Sequence, residues 1–520
     1  MKKTDKLFEL IKSMSMAEKR YFKIFAGRHT IGQQNNYIKL FEILEQMDSF
    51  DGELLLQRLK ESELPARHLS SDKNYLYNLI LKGLSAFNAS KTTSLRIKEK
   101  LHQVEILFDR GLYQHCLDLM KKAKVQARKY DLYPLLVEIS LWQRKIWVQL
   151  GQLKEVNKGL EEVLGDLALM DNMHAFMNLY YQMKSLQQEI PKVRSEKQLA
   201  RFKAFITHPF LEREDIPLSF QAKIHFWQIY AAYYYATEDR AAELDANRKL
   251  IAVMNEDENY LQEFPYEYVE VYSRILSLHM LSEDKLFYQE QAFFLSFPER
   301  IKKARRNVEA RVVIDAKLIE FERDLKLGNW DAAGQGKEAL TKATLSYKNQ
   351  ILKSQWIRFY YFTAFYHVAL EDFSKGLKSL NTLLNEYQAG DGGEVFQFAE
   401  ILFLITHFHL RNYTLMKSRA NSLFRSKKRN NELTQNESII LKFFQKLART
   451  PYKGPQFVED TCTRAKEELI ANMEEVRFFP TESHMFLVWL DYAAGLPAGS
   501  FAEFYGRRAL EILPASVETS

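Results

Sequence analysis

Two cysteines in 520 residues, Cys116 and Cys462, are too few and too far apart for a disulfide framework, and neither falls in a zinc-ligand spacing. Glycine and proline are sparse, at 19 and 12. No alternating run of Val, Ile and Thr closes on Asn-Gly or Asp-Gly, so the signals of a β-hairpin are missing. Charge of one sign is missing too: 73 Lys and Arg against 67 Asp and Glu leave +6 over the whole chain, a mixed solvated surface rather than a nucleic-acid footprint. The longest charge-free aromatic run, Phe359 to Leu370, lies between Arg358 and Glu371 and falls short of the ~20 residues a bilayer span needs. Asp5 and Glu9 interrupt the segment where a signal peptide would carry its apolar core. A cytoplasmic chain without membrane insertion is the expectation.

What is present is core material, 46% hydrophobic and 13% aromatic residues, in patterns of helical period. At this length the chain forms either several domains or one elongated array. Residues 1–92 read as a bundle of four or five short helices, among them AEKRYFKIFA, NNYIKLFEILEQM and SSDKNYLYNLILKGL. From about residue 93 longer helices come in pairs joined by tight polar turns. Five turns align at Gly111, Gly151, Gly328, Glu371 and Arg411. Two residues after each stands a large anchor: Tyr113, Leu153, Trp330, Phe373 and Tyr413. Five residues after stand Cys116, Val156, Ala333, Gly376 and Met416, most of them small. Before four of the turns, apolar residues at −10, −7 and −3 share one helical face, as in Leu318, Phe321 and Leu325. The turns recur at 40, 43 and 40 residues, a period of stacked helical hairpins that bury their apolar sides against one another.

This constellation resembles the tetratricopeptide repeat (TPR), most closely in GNWDAA at Gly328 to Ala333 and next in RGLYQHC. The units here are longer than that family's ~34 residues and most lack its closing proline. The resemblance implies an all-α fold, an α-solenoid with a right-handed superhelix over residues 93–430, degenerate in 171–310. Helices in 431–513 would cap the array, ending in a frayed tail, PASVETS.

Catalysis and metal binding find little support. The stretch GQGKE, Gly334 to Glu338, has Asp331 where a phosphate-binding loop needs its first glycine and Glu338 where it needs a hydroxyl. His407 and His409 are two apart and face different sides of a helix. Neither cysteine sits in a nucleophile motif, and no cofactor is expected. The basic runs Arg300 to Arg306 and Arg425 to Arg429 fall near helix ends, where cations complement the dipole.

The resemblance implies a non-enzymatic scaffold that holds a protein or peptide segment in the groove lined by the first helix of each repeat. Carried onto the fourth and fifth units, that register selects Phe359, Phe362, Tyr366, Leu402, Thr406 and His409. The alternative is a DNA-binding regulator, of a kind found in bacteria, whose N-terminal bundle presents Lys73, Asn74, Tyr77 and Lys82 and whose repeats sense or dimerise. Residues 1–90 hold 14 Lys or Arg against 11 Asp or Glu, too small a surplus for a strongly basic face.

Overall fold

A computed structural model describes residues 5–27, 36–62, 66–88, 92–193, 195–302, 305–348, 350–430, 433–450, 453–475, 483–495 and 499–512; the tail PASVETS lies outside them. Helices and turns account for the described residues, with no strand among them. Contacts divide the chain into two compact units, Met1–Asp171 and Asn172–Ser520, each described by itself.

The first unit opens with α1 (Lys6–Ser13), α2 (Met16–Gly27), α3 (Asn36–Gln46), α4 (Gly52–Glu61) and α5 (Leu69–Asn88). Asp5 caps α1 by accepting from the backbone N–H of Leu7 and Phe8. One helical face of each contributes to a shared core that includes Ile11, Phe22, Phe41, Leu44, Leu55 and Ile80. The unit continues with α6 (Thr93–Phe108), α7 (Tyr113–Lys129), α8 (Tyr133–Gln149) and the start of α9 (Leu153–Glu189). The pairs α6/α7 and α7/α8 pack closely.

The second unit holds the remainder of α9, then α10 (Glu196–Ile206), α11 (Phe220–Thr237), α12 (Arg240–Asn255), α13 (Glu258–Glu263), α14 (Pro265–Leu278) and α15 (Asp284–Ser296). It continues with α16 (Arg305–Leu327), α17 (Trp330–Ser346), α18 (Lys353–Ala369), α19 (Phe373–Glu386), α20 (Ala389–His409) and α21 (Tyr413–Arg429). The last four helices are α22 (Gln435–Leu447), α23 (Pro455–Glu475), α24 (Ser483–Ala493) and α25 (Phe501–Ile512). Helices pack as hairpins, α11/α12, α16/α17, α18/α19 and α20/α21. First helices also pack on first helices: α16 lies against α14 and α18, and α18 against α20.

The corners explain this regularity. Gly111, Gly151, Gly328, Glu371 and Arg411 all have left-handed backbone, with φ of 73°, 68°, 72°, 61° and 60°. After each, the next N–H returns to the carbonyl five residues back: Leu112 to Leu107, Gln152 to Trp147, Asn329 to Asp324, Asp372 to His367 and Asn412 to His407, all at 2.8–3.0 Å. This closure satisfies carbonyls that a helix end otherwise leaves bare and turns the chain sharply into the next helix. Two further corners share it, at Asp131 (φ 51°) and Glu238 (φ 60°). Glu238 lies in the stretch whose register reads as degenerate, because its anchor position holds Arg240 and its small-contact position holds Glu243. The buried Glu243 is kept there by a bidentate pair with Arg274 of α14.

Candidate functional site

Anchors and close-contact residues build the joints between hairpins. Trp330 lies 6.2 Å from Phe365 of α18, and Phe373 stacks on His409 of α20 at 4.5 Å with the rings 5° apart. Tyr113 meets Phe108, which meets Trp142 of α8; Tyr413 meets Phe408. Cys116, Ala333 and Met416 are fully buried. At Gly376 a Cβ would lie 2.7 Å from Val368 Cγ2, so the crossing of α18 and α19 requires glycine. Leu153, the anchor after Gly151, differs from the rest in being 64% exposed.

The six residues selected for a groove do not form one open strip. Phe362, Leu402 and Thr406 are in the core, at 7%, 0% and 0% exposure. Phe362 packs edge-on to Phe321 of α16, and Thr406 donates its hydroxyl to the Leu402 carbonyl of its own helix. Phe359 is half-buried beside Trp356 and Tyr360. Tyr366 is half-buried, with Lys337 Nζ 4.7 Å from its ring centre. His409 is covered by Trp489 of α24, whose Nε1 donates to His409 Nε2 at 2.9 Å. Burial lowers the His409 pKa to about 4, against an opposing pull from Glu371, so the ring is a neutral acceptor.

Residues 431–513, expected to cap the end of the array, return to its earlier corners. Trp330 Nε1 donates to the Ala502 carbonyl at 2.9 Å, and Tyr505 packs on both Trp330 and Phe365. A Cβ at Gly328 would sit 2.5 Å from Gly506 Cα, so α25 crosses this corner backbone to backbone. Glu371, at the next corner, accepts from the Tyr492 hydroxyl at 2.6 Å and the Phe501 N–H at 3.1 Å. Trp330, Phe365 and His409 are thus covered by the chain's own α24 and α25.

A cleft of about 420 Å³ lies in unit 1, between α7, α8 and α9. Leu117, Lys121, Lys124, Val125 and Arg128 line it from α7, Gln143 and Trp147 from α8, and Glu162 from α9. Lys124 bonds Glu162 at 2.6 Å and Arg128 pairs with Asp166 at 3.2 Å, tying α7 to α9. The hydrogen bond from Lys124 holds the Glu162 carboxyl below its ordinary range. Trp147 can lie over α9 because residue 159 is glycine: a Cβ there would be 2.6 Å from the indole Cζ3. Val125 stands 68% exposed at the edge. A second depression, about 440 Å³, runs along α19 alone, from Ser374 to Glu386, and joins no side chains from another element.

GQGKE lies inside α17, where Gly334 passes under the Tyr366 hydroxyl and Lys337 Nζ contacts His367 Nε2 at 3.2 Å. In the N-terminal bundle Lys73 is drawn to Asp5 and lies 4.9 Å over the Phe50 ring, so it serves the bundle's own packing. Arg425–Arg429 forms the last turn of α21. Among the described residues no group of His, Cys, Asp and Glu has metal-ligand geometry, and no helix is long and apolar enough to cross a membrane. No protein-family model matches this sequence, and no curated protein is significantly similar to it.

Proposed function

We propose that this chain is a non-enzymatic, cytoplasmic scaffold of TPR-like hairpins wound as a right-handed superhelix, which holds a segment of a protein partner in the cleft of unit 1. The observation that carries the reading is the lining of that cleft. Three helices bring apolar Leu117, Val125 and Trp147 together with exposed Lys121, while Lys124 and Arg128 are matched by Glu162 and Asp166. A segment with an apolar or aromatic anchor and a flanking carboxylate suits such a lining: the anchor meets the indole and Val125, and the carboxylate meets Lys121. The indole is pre-placed by its contact over Gly159, which limits the ordering that binding must impose.

The test is affinity capture from native extract, with cross-linking and peptide mapping, comparing the full chain with Val125→Asp plus Lys121→Glu. Both positions are exposed, so helical circular dichroism should be retained. Loss of captured partners with the fold intact is the expected outcome. A folded double variant that retains every partner places the binding surface elsewhere.

A further inference from the structure

The lysine of GQGKE has no phosphate loop around it, but its amine is set against a base. Gly334 begins the arrangement: a Cβ there would lie 2.8 Å from the Tyr366 hydroxyl, so glycine lets that side chain of α18 reach across α17. Lys337 follows three residues later on the same helical face. Its Nζ stands 4.7 Å from the Tyr366 ring centre and 3.2 Å from His367 Nε2, and all three side chains are half-buried. An ammonium carries donors only, so Nε2 accepts and the ring proton sits on Nδ1, which faces Asp372 Oδ2 at 4.0 Å. Burial and the adjacent Lys337 lower the His367 pKa to about 4, against an opposing pull from Asp372, so the ring is neutral at pH 7. Burial, helped by Lys375 of α19, also lowers the Lys337 pKa below the ordinary ammonium range, with Glu338 of its own helix and Asp372 opposing. Lys249, hydrogen-bonded to Glu214, moves the other way. At Lys337 an amine that loses its proton more readily thus lies in contact with an imidazole able to take one.

We infer that Lys337 is a modification site: a nucleophilic amine that takes an acyl group from a small activated donor, an acyl phosphate or an acyl thioester, with His367 as its proton acceptor. The Lys337 ammonium first loses one proton to water. The neutral Nζ keeps an N–H on His367 Nε2 and turns its lone pair to the acyl carbon. The N–C bond forms, and the bond from that carbon to the phosphate oxygen or the thioester sulfur breaks. The second proton passes from Nζ through His367 to the departing phosphate or thiolate. An amine and an acyl donor enter, an amide and free phosphate or thiol leave, and no electron is exchanged with a third partner. The amide no longer sets a cation over the Tyr366 ring, so the modification acts on the joint between α17 and α18.

Competitive labelling of the full chain tests this. Trace acetylation of the folded protein with acetyl phosphate, and in a second arm with S-acetyl-N-acetylcysteamine, is followed by denaturation, complete acetylation with a heavy isotope and peptide mass spectrometry, which yields a rate for each lysine. At pH 7.5 Lys337 should react at least about fivefold faster than exposed Lys342 and Lys378, and the arm in which it does so identifies the donor. His367→Gln should bring Lys337 to within about twofold of Lys342 while helical circular dichroism is unchanged. Lys375→Gln alters an exposed side chain and leaves the amine and imidazole in place. It removes a like charge, so Lys337 holds its proton more firmly and should react about twofold more slowly at pH 7.5, the gap closing as pH rises through the Lys337 pKa. A Lys337 no faster than Lys342 in both arms, a rate indifferent to His367→Gln, or a rate indifferent to Lys375→Gln at pH 7.5 would each overturn the inference.

Discussion

Gly328 and Arg411 hold the same left-handed backbone, φ 72° and 60°, and should respond oppositely to substitution. Gly328→Ala adds a Cβ to a conformation that disfavours one and drives it toward Gly506 Cα, a backbone atom that cannot step aside; a loss of about 2 kcal/mol or more, read by urea denaturation, is expected. Arg411 is exposed, and Arg411→Gly relieves the left-handed strain at some entropic cost, for a net gain of about 0.5 kcal/mol in the same assay. His409 sets a pH response. Its pKa is near 4 in the fold and about 6.5 in an unfolded chain, so above pH 6.5 both states are neutral and the ring imposes no pH dependence. Between pH 6.5 and 4 the unfolded chain takes a proton that the fold refuses, and stability falls by up to about 1.4 kcal/mol per pH unit. His409→Gln keeps an acceptor for Trp489 without that titration. Its thermal midpoint should therefore depend less on pH across this window than the wild type's, as followed by tryptophan fluorescence.

Between elements, buried charge links first helices that the apolar pattern alone would only bring near one another. Glu322 of α16 bonds Arg358 of α18 at 2.9 Å and Lys326 of its own helix at 2.8 Å. Burial pushes its pKa up, but the two cations outweigh burial and hold it near 2. The carboxylate therefore stabilises the fold above the ordinary carboxylate range, and that contribution is lost as pH falls from about 4.5 toward 2. Glu322→Gln leaves both cations without their counter-charge and should cost about 3 kcal/mol, measured by denaturation of the full chain at pH 7. The same scale shows what periodicity could reveal. Five corners were legible because glycine or a polar residue, a large anchor and an apolar contact recur at fixed offsets. The corner at Glu238 was hidden because Arg240 and Glu243 stand at the informative positions, and the buried carboxylate is tolerable only through Arg274, which is 31 residues further along. The aromatic faces of α18 and α20 were legible as apolar, but not as covered. Whether such a face meets a ligand or another helix depends on where residues 483–512 return, and helical period carries no information about that.

For the whole molecule, two units with separate cores and a nearest-neighbour pattern of packing predict that unfolding is not all-or-none. Scanning calorimetry should give a calorimetric enthalpy larger than the van't Hoff value, and coincidence of the two would refute separable units. The contact between Trp330 and Ala502 adds a constraint in time. Its partners are 172 residues apart in the chain. At ribosomal rates of about 5–20 residues per second, the corner at Gly328 waits roughly 10–30 s for the strip that completes it. Throughout that interval Trp330 lacks α25, as does Phe365 once it is made, and His409 waits a further 80 residues for Trp489. A nascent chain stalled in this window should be a preferred client of chaperones that recognise aromatic surface, and slowing translation between residues 430 and 500 should lengthen that dependence.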